Sequence, residues 1–111
     1  MQEELLKIIN HYGVDNQLKK INEEVFELIE AIRNYEDDYI KVDCDEKAVL
    51  PFFKKHIEEE LADVMVLLNQ FNEYYSLNLD NVENIIQQKI NRQLERMKEG
   101  KEENEWIDKI R

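Results

Sequence analysis

The stretch Glu59-Glu60-Leu61-Ala62-Asp63-Val64-Met65-Val66-Leu67-Leu68 decides the fold. From Leu61 to Leu68 every residue is apolar except Asp63, so a helix written here is hydrophobic nearly all round. Such a helix asks for cover on several sides. It also places an acid among apolar neighbours, where an unpartnered carboxylate costs several kcal/mol and must be protonated, paired with a base or bound to a cation. Upstream, Pro51 is expected to open this helix, because proline is tolerated in a first turn and disruptive in the interior. The helix then runs to about Tyr75.

The flanking segments have the same helical grammar. Leu5, Leu6, Ile8, Ile9 and Tyr12 form a short helix that stops at Gly13, a residue suited to a positive φ. Asp15 is the expected cap of a second helix, whose stripe Leu18, Ile21, Val25, Leu28, Ile29 and Ile32 ends near Asn34. Asp80 is the expected cap of a fourth, carried by Val82, Ile85, Ile86, Ile90, Leu94 and Met97 up to Gly100. Between helices two and three the period lapses, and residues 35–50 read as a linker or lid. Residues 100–111, with Trp106, read as a tail or a short docked helix. The expectation is an all-α bundle of about four helices in a single domain spanning residues 1–111, with an apolar helix three that calls for an oligomer. Helix three and the C-terminal segment are the expected interface.

Composition agrees and excludes several functions. Two Gly and one Pro among 111 residues, with charged residues at 37%, suit long helices better than a turn-rich β fold. A formal net charge of −11 repels nucleic-acid polymers and anionic membrane surfaces. The single cysteine, Cys44, rules out an internal disulfide and reads as an incidental thiol. With no apolar run approaching a membrane span and no signal-peptide pattern, the expected location is the cytoplasm. An acidic protein that handles a polyphosphate needs a divalent cation to invert the local charge.

Two acid pairs could hold such a cation. Glu24 and Glu27, three apart on helix two, project together at the edge of the apolar stripe, with Glu23 one step round. Helix three repeats the arrangement with Glu60 and Asp63. Facing one another on antiparallel helices, the pairs would make a hard oxygen site suited to Mg2+, with Mn2+ as a substitute. Zinc fits less well, since the only histidines are His11 and His56 and no second sulfur ligand exists. A di-iron bundle would want Glu-x-x-His twice, and only His56 before Glu59 comes near, in reverse order.

These pieces together resemble the MazG-like family of all-α nucleoside triphosphate pyrophosphohydrolases. The likeness rests on Glu23-Glu24-x-x-Glu27 with Leu28, on Glu59 to Val64, and on Lys89-x-x-Arg92 with Arg96. It implies Mg-dependent cleavage of a nucleoside or deoxynucleoside triphosphate between the α and β phosphates, giving the monophosphate and pyrophosphate. By position it implies that Glu24, Glu27, Glu60 and Asp63 are metal ligands and that Glu23 supports them or assists water activation. It also implies a homodimer or homotetramer. Lys89, Arg92 and Arg96 share one side of helix four and could meet the substrate's phosphates. Gln17 and Lys20, on the helical side of Glu24 and Glu27, are further substrate-binding candidates. The stretch between Glu27 and Glu60 is long for the simplest members and reads as a lid or a subfamily-specific insertion. Two other readings fit the same residues: a non-catalytic helical oligomerisation or adaptor module, and a narrower dUTP or dCTP diphosphatase of the same fold.

Overall fold

In the computed structural model the helical periods close as four α-helices among the described residues: α1 (Gln2–Tyr12), α2 (Val14–Asn34), α3 (Glu46–Tyr74) and α4 (Leu79–Lys98). The structure describes residues 1–39 and 46–100, and of residues 38, 39 and 46–50 it describes only the backbone. The expectations for Cys44 and for the C-terminal segment 101–111 with Trp106 lie outside the described residues.

Gly13 makes the first corner. Its φ of 88° and ψ of 150° fall where a side chain is strongly disfavoured, which lets one residue close α1 and open α2. Its N–H donates to the Ile9 carbonyl at 2.8 Å and its carbonyl accepts from the Gln17 N–H at 3.1 Å. The helix therefore starts at Val14, without a side-chain cap, and Asp15 falls within its first turn instead of capping it. There its charge still complements the helix dipole.

The chain leaves α2 through a π-helical turn, Tyr35–Tyr39, so helical structure continues past the expected stop. Likewise α3 begins at Glu46, ahead of Pro51. The proline sits inside the helix, near enough to its start that it deletes one early backbone hydrogen bond and leaves the long body intact. The stretch 35–50 is thus narrower as a linker than its composition suggests. Tyr35 and Phe53 meet edge to face, with ring centroids 6.2 Å apart, at the end where α2 and α3 connect.

The chain divides into two compact units, Met1–Ser76 and Leu77–Arg111. In the first, α1 and α2 both pack on α3. The buried apolar residues are Ile9, Ala31, Val64 and Leu67. On α2 the buried positions are Gln17, Glu24 and Ala31. They lie seven residues apart, two turns each, so one narrow seam of α2 faces inward. The cover of α3 is one-sided: Leu61, Met65, Val66 and Leu68 are each 43–50% exposed. Asp63 is exposed as well, not buried as its apolar neighbours suggested. The reason is that α1 and α2 cover only the seam of Val64, Leu67 and Gln70.

In the second unit α4 is capped by Asn78, whose Oδ1 accepts from the Asn81 N–H at 3.0 Å. Asp80 therefore stands in the first turn and not at the cap. The stripe expected to be core is exposed, with Ile85, Ile86, Ile90 and Leu94 at 47–53% and no buried residue on the helix. No helix among the described residues is long and apolar enough to cross a membrane.

Candidate active site

Pairing between α2 and α3 is antiparallel, since Gln17 bonds to Gln70 while Glu24, further along α2, meets Glu60 and Asp63, further back on α3. This register carries acids from two helices to one place. One carboxylate oxygen from each of Glu24, Glu60 and Asp63 lies within 4.8 Å of the others. Glu24 is only 7% exposed, so the deeply buried acid is on α2, whereas sequence pointed to Asp63 on α3. The cost of that burial is met in part by Lys20, one turn earlier, whose Nζ lies 3.1 Å from Glu24 Oε1. His56 Nε2 stands 3.6 Å from Glu60 Oε1, a neighbour that the sequence reading left out.

Each of these two glutamates keeps one oxygen out of reach of any such partner. Glu24 Oε2 and Glu60 Oε2 are buried without a hydrogen bond. Buried acceptors without donors are uncommon and costly. Two of them beside a third carboxylate form a donor set of oxygens alone, which fits a hard divalent cation such as Mg2+.

Glu27 stands at the rim. Although exposed, its carboxyl is raised above the ordinary glutamate range, first by the charge of Glu24, then by desolvation, then by Glu60. Lys20 is raised in turn by its hydrogen bond to Glu24 and by that group's charge. Glu23 is turned outward: it lies 3.7 Å from Lys20 and borders a shallow hollow with Asn22, Phe26 and Glu27. Lys89, Arg92 and Arg96 all lie on α4, in the second unit, and are described there by themselves.

A cleft of about 520 Å³ opens from the acids. Glu24 and Asp63 border it together with Lys20, Tyr12, Asn16, Gln17, Val66, Leu67 and Gln70. Gln17, which an exposed helix face would leave in water, is 7% exposed, and its Nε2 donates to Gln70 Oε1 at 2.7 Å. Gln70, 2% exposed, was missed in the sequence. The signal that could have found it is spacing, because Gln70 follows Asp63 by the same two turns that separate Gln17 from Glu24.

With this geometry in view, comparison with known families matches residues 12–97 to the MazG nucleotide pyrophosphohydrolase domain. The chain belongs to the MazG family. The match runs through α2 and α3 and nearly to the end of α4, so it contains all three acids of the cluster. No curated protein and no solved structure matches the chain. Membership of this nucleotide pyrophosphohydrolase family and the all-α fold agree with what the sequence motifs implied.

Proposed function

We propose that this MazG-family chain hydrolyses a nucleoside or deoxynucleoside triphosphate between its α and β phosphates in a magnesium-dependent reaction. The observation that carries the reading is the trio Glu24, Glu60 and Asp63, with two buried oxygens that no protein group satisfies, beside a cleft that Glu24 and Asp63 border. Those three residues would hold the cation, which when bound screens phosphate charge and acidifies the attacking water.

The chain's own groups account for the rest. Glu27, exposed beside the trio, accepts the proton of the water as its oxygen attacks the α phosphorus. The bond from that phosphorus to the bridging oxygen breaks, and pyrophosphate departs with the electron pair. Lys20, borrowed by Glu24 while no other cation is at hand, is long enough to turn to a phosphate oxygen instead. Glu23 supports this by holding Lys20 from the outer side. Lys89, Arg92 and Arg96 remain candidates for phosphate contacts from α4. The exposed apolar stripe on α3 supports a homo-oligomeric enzyme.

The test is a panel of nucleoside and deoxynucleoside triphosphates assayed for pyrophosphate with and without magnesium. Release from at least one nucleotide, dependent on the metal, is the expected result. Failure across the whole panel with magnesium and with manganese would overturn it.

A further inference from the structure

The cleft has a second polar feature, set apart from the acids and not used in the hydrolysis. Gln17 and Gln70 reach across from facing helices and share one hydrogen bond of 2.7 Å, although both side chains are more than nine-tenths buried. A single bond uses only part of what two amides carry, since each has two N–H donors and a carbonyl acceptor. Gln17 Oε1 and the Gln70 amide nitrogen, which this bond leaves over, are not among the buried atoms without a partner. Both residues border the cleft, so the remaining capacity is available from inside it.

Position gives this pair its meaning. Gln17 precedes Glu24 and Gln70 follows Asp63 by seven residues each. At 1.5 Å rise per residue the amide pair therefore stands about 10 Å along the helices from the acids. That is the reach of a nucleoside from its 5′ phosphate to the hydrogen-bonding edge of its base. The cleft volume of about 520 Å³ also falls in the ordinary range for a small-molecule site. Tyr12, 55% exposed, and Asn16 border this cleft too, and Asn16 Nδ2 is tied to the Tyr12 carbonyl at 2.7 Å.

We infer that the Gln17–Gln70 pair is the specificity-determining element of the cleft and reads whether the base carries an amino or a keto group on its hydrogen-bonding edge. This deepens the proposed function and rests on it. Because Gln17 donates to Gln70, the pair offers an acceptor on one amide and donors on the other in a fixed order. An amino group beside a ring acceptor and a carbonyl beside a ring N–H present opposite orders. Reversing the order requires both amides to turn together inside a packed seam.

The experiment compares cytidine with uridine nucleotides and adenosine with inosine nucleotides, pairs that differ at this edge. Two readouts are taken: the ratio of kcat/KM for the triphosphates, and the ratio of Kd for the monophosphates by calorimetry with magnesium present. The variant is the double substitution Gln17→Leu with Gln70→Leu, which removes both partners and so leaves no orphaned buried amide. Its fold is checked by circular dichroism and melting.

Wild-type protein is expected to discriminate within at least one pair by more than about tenfold, as sites built on hydrogen bonds do. The folded double variant should discriminate by less than about threefold, while inhibition by inorganic pyrophosphate stays unchanged. Equal treatment of both members of each pair by the wild type, or discrimination kept by the variant, would overturn the inference. Should the double variant fail to fold, Gln70→Glu serves instead: it removes the amide donors, so an unaltered Kd ratio would count against the pair. If no triphosphate is hydrolysed, the proposed function fails, and the monophosphate ratios still decide for or against the pair.

Discussion

At Glu24 the chain places a carboxylate where water cannot reach one of its oxygens, and that oxygen is matched by another on Glu60. Removing a member of such a trio takes away a ligand of the cation that would meet the phosphate charge. Glu60→Ala and Asp63→Ala are therefore expected to lower magnesium-dependent pyrophosphate release by at least about a hundredfold, the scale of losing one electrostatic stabiliser. Far-ultraviolet circular dichroism should show unchanged helicity, and retained activity in both variants would exclude the acids from catalysis. Glu27 gives a second, independent test. Its folded-state pKa is raised, so its favourable contribution exists at low pH, where it is protonated, and is lost as pH rises through that value. In metal-free protein Glu27→Gln should raise Tm at neutral pH, and the gain should vanish on acidification to the ordinary glutamate range. Magnesium should stabilise wild type more than the variant. The three acids that come together, Glu24, Glu60 and Asp63, were legible because each belongs to a pair local to one helix. The sequence misjudged which is buried, since burial depends on neighbours that a single helix does not reveal: Asp63 looks enclosed by its own helix, yet the seam of α3 against α2 passes through Val64 and Leu67.

The elements themselves follow from period and punctuation, and their ends follow less well. Helix α2 ends at Asn34 as its stripe suggests, and Gly13 takes the positive φ expected of it. The caps were harder to read because good capping residues come in clusters: Asn78 and Asp80 both qualify, and only the hydrogen bond to Asn81 distinguishes them. Gly13 is the corner most exposed to test. A Cβ added there meets nothing within 4 Å, so any cost of Gly13→Ala comes from the backbone angles alone. That conformation is close to a region open only to glycine, and the substitution is expected to destabilise by about 1–3 kcal/mol in denaturant unfolding. Asn78→Ala should cost about 1 kcal/mol through the lost cap. A Gly13→Ala variant as stable as wild type would mean that α1 and α2 can join through another turn.

For the whole molecule the unsettled surface is apolar. On α3, Leu61, Met65 and Leu68 recur at helical spacing and each stays 43–50% exposed, on a different stripe from the buried Val64 and Leu67. On α4 the stripe from Ile85 to Leu94 is exposed too. Water contact on this scale costs about 1 kcal/mol or more for each half-exposed side chain that a partner could cover. A second copy of the chain is the proposed partner, because the same helix then presents the same stripe from both sides. Light scattering at micromolar concentration should give the mass of a dimer or tetramer. Met65→Glu with Leu68→Glu should shift the mass toward monomer and lower Tm, as charge placed in a buried interface is costly. Neither residue borders the cleft of the acids, so loss of activity in the monomerised variant would indicate that the site depends on assembly, and retained activity that one chain suffices. A monomeric wild type would instead require the stripe to be covered from within the same chain.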